Sequence, residues 1–564
     1  MSFCLPPEFT KPFLQAIKDG RLNPGELAQM SSAERNAAFA KIIGEDLATP
    51  TNALFESKLL LKNQQQGIIT WARSVGGLSP REVTDLATKI SKLDRVLNPE
   101  NEAAFLADLA AHKVGAKVSL EEARDITNLG MKAQDLKAKI EPGSPLMSPD
   151  RMEYGRALYD FTEYIKELKK SAKQLTFEDF KKAPGKTVGR AVVNTAGLAK
   201  SLKATLDNSV IGRQGWKVLF TSPTVWARNS LRSFSDIVRT FGGKDVMREV
   251  FADVNSRPNA LNGSYKQEGL AIGTTEEAFP TSLPERVPGV GRAFKASETA
   301  FTAFQYRTRA DLFDRYKQII ERSGGDISGL GKLANSLTGR GTFGQRGESA
   351  ATIANNLFFS PRLVKSHIDL LTAHAFDSNI SPAVRRIAAV NLVKVIVGIG
   401  AILQVAKAIN PKSVEEDPRS ADFGKIRVGD TRFDVSGGMS SLVTLASRIG
   451  PLLAGQEAYS KSSTTGKLSQ INSGKYGAQT GLDVLVDFGS NKLSPAASVV
   501  KDLLKGADFS GQKPTLVGEA KNLFLPLPIA NYQELRDNPN SANIIAALIA
   551  DGLGIATNTY SPKK

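Results

Sequence analysis

Cysteine is almost absent from this chain of 564 residues. Cys4 stands alone, so neither a disulfide framework nor a cysteine-based metal cluster can be built, and folding in a reducing compartment fits. Histidine is nearly as scarce, with His112, His367 and His374 only. On a helix the last two share a face but lie two turns, roughly 10 Å, apart, too far to hold one metal ion. Asp369 and Asp377 do not repair that spacing, so structural histidines are expected and no metal site is assigned. The opening "MSFCLPPEFTKPF" has no basic stretch leading into an apolar run, so no secretory signal is expected. Aromatics make up 7% of the chain, apolar residues 41% and charged residues 23%, a globular rather than a disordered composition.

Signatures of catalysis are also missing. "GRGTFG" (339–344) has the glycine spacing of a dinucleotide loop, but no strand precedes it and more loop follows it. "PGKT" (184–187) has Phe180 where a phosphate loop needs glycine. Glu348-Ser349 matches the dipeptide around the catalytic glutamate of many lytic transglycosylases, but the flanking glycine-aromatic signatures are absent, and a helix start after a glycine loop explains it. There is no GxSxG elbow. The expectation is a protein that is not an enzyme and carries no cofactor.

What the chain has is positive charge. Lys and Arg number 73 against 57 Asp and Glu, a net +16, which favours an anionic partner, nucleic acid or a lipid surface, over a merely soluble basic surface only where the charge is concentrated. It is concentrated in residues 181–232, where ten cations (Lys181, Lys182, Lys186, Arg190, Lys200, Lys203, Arg213, Lys217, Arg228 and Arg232) face one acid, Asp207. Trp216, Phe220 and Trp226 are interleaved, and could stack on bases or sit at a lipid interface. The competing reading makes the tryptophans core and the cations a solvated face.

Helical periodicity dominates the rest. Tyr154, Leu158, Phe161, Ile165, Leu168 and Ala172 recur at spacings of three and four, as do Ala227, Leu231, Phe234, Val238 and Phe241 before a Gly-Gly stop. The three prolines of "EPGSPLMSP" (141–149) mark a boundary, and "GGDISGLGKLANSLTGRGTFGQRG" (324–347) reads as a mobile glycine-rich loop. "GKIRVGDTRFDVSGG" (424–438) alternates about Gly429-Asp430, a type II′ hairpin signal. That register pairs Ile426 with Phe433, Lys425 with Asp434, and Arg427 with Arg432. The last is a like-charge pair that calls for a nearby anion, either a phosphate or, more simply, Glu415, Glu416, Asp417 and Asp422 just upstream. The fold class expected is mainly α, multi-helix, elongated or bundle-like, with one small β-hairpin near 424–435. Its parts are an N-terminal helical region (1–140), a basic helical core ending in an apolar helix (150–410), an acidic loop plus hairpin (411–438) and a C-terminal helical region (439–564).

The most apolar stretch is "AAVNLVKVIVGIGAILQVAKAIN" (388–410). Its length suffices for a bilayer, but its longest uncharged run, 395–406, is only twelve residues. Asn391, Lys394, Gly398 and Ala401 share one small, polar stripe suited to close packing. With Val397 and Gly400 these positions define a segment expected to be buried against protein in the stored form and able to enter a bilayer on delivery. Lipid binding is then expected only after partial unfolding or acidification. A second apolar stretch, "ANIIAALIADGLGIA" (542–556), offers Asp551 as a partner for Lys394.

"DNSVIGRQGWKVLFTSPTVWARN", "EAFPTSLPERVPGVGRAFKASE", "FSPRLVKSHIDLLTAHAFD", "DPRSADFGKIRVGDTRFDVSGG" and "ADGLGIATNTY", with "NALFESKLLLKNQQQGIITWA" upstream, resemble the large polyvalent protein-associated domain family of tailed bacteriophages. The resemblance spans most of the chain, without the enzymatic domains fused to larger members. It implies an internal virion protein delivered with the genome toward the host envelope, with phage DNA (bound nonspecifically), other virion proteins and the host membrane as partners, and a homo-oligomeric state in the particle. The implied location is the capsid interior or neck, after synthesis in the host cytoplasm. A static head or neck component and an injected effector are the alternatives. The family offers no catalytic motif to carry over.

Overall fold

The computed structural model describes residues 15–45, 48–49, 51–52, 55–56, 118–172, 210–272, 291–343, 358, 360–376, 379–474, 479–490, 492–494, 497–499, 501–502, 515, 527–538, 542–552 and 555–559. The chain divides into two compact units, Met1–Gln174 and Leu175–Lys564. Both are mainly helical, and the second carries two small antiparallel sheets.

In the first unit, α1 (Pro24–Gln29) and α2 (Ser32–Ile43) surround a core of Leu22, Leu27, Phe39 and Phe55. A capping box starts α2: the Ser31 hydroxyl accepts from Glu34 N–H, and the Glu34 carboxylate accepts from Ser31 N–H at 2.8 Å. The same S-x-x-E device, Ser119 with Glu122, starts α3 (Leu120–Ala138). Helix α4 (Pro149–Ala172) packs on α3, burying Tyr154, Phe161 and Ile165 along the expected stripe. The prolines at 141–149 therefore turn one helix back onto the next, and the division between units falls after Gln174.

The first described element of the second unit is a π-helical turn at Val210–Gln214, closed by Gly215 N–H donating to Val210 C=O at 2.8 Å. Then come α5 (Trp216–Thr221), α6 (Pro223–Phe241), α7 (Val246–Asn255) and the long α8 (Gly291–Arg322). Helix α9 (Leu330–Leu337) lies inside the stretch expected to be a mobile loop, and it is almost entirely buried. Five described glycines of that stretch, Gly325, Gly329, Gly331, Gly339 and Gly341, sit in close contact. A Cβ on Gly331 would sit 2.0 Å from the Glu268 carbonyl oxygen, and one on Gly341 2.5 Å from Ser366 N. Within "GRGTFG", Gly339 is packed against Gln214 and Leu363, and Gly341 against Lys365 and Ser366.

Helices α10 (Pro361–Phe376) and α11 (Pro382–Ile409) follow, the second started by a Ser381 N-cap with proline at its first position. The hairpin of β1 (Lys425–Val428) and β2 (Thr431–Asp434) has the expected register, with Ile426 opposite Phe433 and Arg427 opposite Arg432. Gly429 takes a positive φ of 58°, as the first turn position requires. After α12 (Met439–Leu453) comes a second hairpin, β3 (Ala458–Lys461) with β4 (Leu468–Ile471), and then α13 (Gly481–Ser490). Helices α14 (Leu527–Asp537) and α15 (Ile544–Gly552) lead to β5 (Ala556–Thr559), which pairs with β2. The expected hairpin is thus part of a three-stranded sheet closed by residues more than a hundred positions away, tied by the Thr431 and Thr559 hydroxyls at 3.1 Å.

Candidate membrane and nucleic-acid interfaces

Helix α6 is built inside out. Its protein-facing side is polar: Asn229, Ser230, Ser233, Asp236 and Thr240 are buried against α8. Asn229 donates to the Asp311 carboxylate at 2.9 Å, Arg228 pairs with Asp311 at 2.7 Å, and Asp236 accepts from the buried Arg307. Helix α8 answers with Arg309, fully buried and bonded to Thr338 Oγ1, Ala271 C=O and Gln305 Oε1. The apolar stripe of α6 faces outward, with Leu231 72% and Val238 73% exposed and Phe234 and Phe241 about half exposed. A stripe that periodicity alone would place in the core is on the surface, because the charged and amide groups of α6 have their partners on α8.

Helix α11 presents a second apolar surface. Val384, Ala388, Asn391 and Val395 are its buried positions, and Asn391 accepts from Tyr316 Oη at 3.2 Å. Gly398 lies under Phe220. Lys394 and Ala401, expected on the same packing stripe, are exposed, as is Val397 at 63%, while Gly400 faces open space. The packed stripe is centred on Val384, Ala388 and Val395 rather than on Lys394. Beyond it Val390, Val393, Ile396, Ile402, Val405 and Ile409 are exposed, and only 17% of the most apolar window is buried. Within this chain most of the helix is therefore exposed rather than buried. Helix α15 packs on α14 and β5, and the Asp551 side chain lies outside the described residues.

The basic segment divides differently. Lys181, Lys182, Lys186, Arg190, Lys200 and Lys203 lie outside the described residues, as do His112 and Glu348-Ser349. Arg213 is half-buried at the π-turn, while Arg228 and Arg232 are exposed on α6. Lys217 cannot meet a phosphate. It is fully buried, donating to Ser366 Oγ at 2.8 Å and Ser336 C=O at 2.5 Å, and burial lowers its pKa to about 7 against the opposing pull of Asp369. Trp216 is core, and Trp226 is partly buried against the Val210, Ile211 and Phe294 cluster, its Nε1 donating to Ile211 C=O at 2.8 Å.

Around Lys217 and Trp216 three distant stretches of the chain converge, carrying Ser336, Ser366 with His367, and Gly437. His367 stacks edge-on to Trp216 with ring centroids 6.2 Å apart, and Gly437 is so close to Trp216 that a Cβ would overlap the indole. Burial, then the charges of Lys217 and Lys492, hold His367 well below the usual imidazole range. The Lys217–Ser366 pair has the atoms of a serine–lysine dyad, and both residues are fully buried. Nothing in the sequence marked Lys217 as different from its neighbours, since its burial is set by contacts more than a hundred residues away.

At the hairpin, Arg432 pairs with Asp422 at 2.9 Å, both buried, and Lys425 joins them at 3.2 Å. Arg427 and Arg432 both donate to Gly429 C=O, and Lys461 pairs with Glu415, Arg419 with Asp417 and Lys407 with Glu416. Of the arginine pair, Arg432 thus has its anion in Asp422, while the other acids of the loop hold Lys461, Arg419 and Lys407.

No family model, no curated protein and no solved structure matches this chain.

Proposed function

We propose that this chain is an internal virion protein of a tailed bacteriophage, non-enzymatic, held with packaged DNA and delivered with the genome to the host envelope. One observation carries the membrane part of this reading, the exposed apolar length of α11. Its 28 residues measure about 42 Å at ~1.5 Å each, longer than a hydrocarbon core of ~30 Å, and only 17% of its most apolar window is buried. The core helix of a soluble protein of this length and composition would be mostly buried. Lys394 sits on the exposed side, where a permanent transmembrane helix would suffer a cost of up to ~3 kcal/mol, so the helix is suited to entering a bilayer on delivery rather than residing there. The phage-like segments support the rest of the reading, and the cation excess of residues 181–203 supports nonspecific contact with DNA. Quantitative mass spectrometry of purified particles, before and after triggered DNA release, is the test. The protein should be present at more than trace copy number and depleted from emptied particles. Retention would favour a static head or neck component, and absence from both would overturn every virion reading, the injected effector included.

A further inference from the structure

We infer that α6 is an interfacial helix that lays its outward stripe, Leu231, Phe234, Val238 and Phe241, into the headgroup boundary of an anionic lipid bilayer. The inference deepens the membrane part of the reading above but stands on a different helix and a different observation, the inverted burial of α6.

Three features identify the occupant. The first is depth. Asn229, Ser233 and Asp236 fasten the opposite side of α6 to α8 through Asp311, Ala300 C=O and Arg307. Crossing the bilayer would strip those pairs, so α6 can enter only as far as its stripe, lying in the interfacial plane. The second is charge. Asp236 is the one acid in α6, and it is buried between Arg307 and Arg239, which leaves the outward side free of carboxylates. The third is geometry. Arg228, Arg232 and Arg239 fall at helical spacing along one flank of the stripe, and Lys244 is exposed just past its end. An apolar face with a cationic flank matches a surface of acyl chains and anionic headgroups. A second copy is a poorer occupant, because an antiparallel two-fold contact through this stripe would set the arginine flank against its own counterpart.

The test uses the full chain with Cys4→Ser and a single Phe234→Cys bearing an environment-sensitive nitrobenzoxadiazole label, alongside a matching protein labelled at Val397→Cys on α11. Vesicles of phosphatidylcholine with phosphatidylglycerol are compared with phosphatidylcholine alone. The label at 234 should shift to the blue with the anionic vesicles. In the unlabelled chain, Leu231→Gln with Val238→Gln should weaken vesicle partitioning by ~10-fold or more, each large apolar side chain being worth well over a tenfold change when fully buried. Their exposure makes these variants safe for the fold. A label at 397 that responds while 234 stays water-like would overturn the inference and leave the α11 reading intact. A blue-shifted 234 before vesicles are added would also overturn it, pointing to a second copy if the shift depends on protein concentration and to cover by the chain's own segments if it does not. If neither position responds, both readings fall.

Discussion

Phe220 lies across Gly398 so closely that a Cβ there would fall 2.1 Å from the ring. This contact seats the apolar helix α11 on α5, and it is one of the few places where the middle of α11 touches protein. A glycine in mid-helix costs helix propensity, so its value must come from the approach it permits. Gly398→Ala should destabilise the second unit by ~1–3 kcal/mol, as overpacking does, despite alanine's better propensity. Gly400→Ala, with open space around it, should be neutral or slightly stabilising. Urea midpoints of the two variants check this, and equal effects would contradict it.

Lys217 predicts a pH dependence with a definite sign. Its pKa of about 7 in the fold lies below the ordinary 10.5, so between those values the unfolded chain holds a proton that the fold has shed. Stability therefore rises with pH across that window, by a few kcal/mol in all, and is lower by that amount below pH 7. Lys217→Met should flatten the rise between pH 7 and 10.5, read from urea unfolding at several pH values. His367 acts lower down. Held neutral by burial, it should erode stability as pH falls below 6.5, in the variant as in the parent. A Lys217→Met protein that kept the full alkaline rise would contradict the burial argument.

The proposed nucleic-acid surface is smaller than its ten cations, because Lys217 is buried. Lys217→Gln should leave the salt dependence of DNA binding unchanged, because the side chain never reaches solvent. Replacing Lys181, Lys182, Lys186 and Arg190 by Gln should reduce the slope of log K against log salt, by ~0.9 for each duplex phosphate no longer neutralised. Fluorescence anisotropy with duplex DNA over a salt series measures both. An unchanged slope in the fourfold variant would remove these residues from the DNA surface.

Local rules made much of this fold legible. The type II′ hairpin, its register and the α4 stripe follow from spacing and turn chemistry, because each is decided within a few residues. What failed depends on partners distant in sequence. The stripe of α6 obeys helical periodicity, but periodicity cannot say which side is buried when the polar side finds Arg307 and Asp311 on another helix. Glycines at 331 and 341 looked like flexibility and are close approaches of backbone to backbone. Lys217 reads as one cation in a basic run until Ser366, 149 positions later, is brought to it. On α11 the stripe that this chain itself buries is narrow, Val384, Ala388, Asn391 and Val395, which apolar composition alone does not indicate.

The central claim is that the exposed length of α11 meets lipid, and flotation of the native full chain with vesicles of phosphatidylcholine and phosphatidylglycerol tests it most directly. Val397 is exposed, so Val397→Asp should keep the parent's circular dichroism and urea midpoint while losing most of its vesicle binding. The expected result is flotation of the parent without unfolding or acidification and sedimentation of the folded variant. A parent that stays at the bottom of the gradient, or a variant that floats equally well, would contradict it.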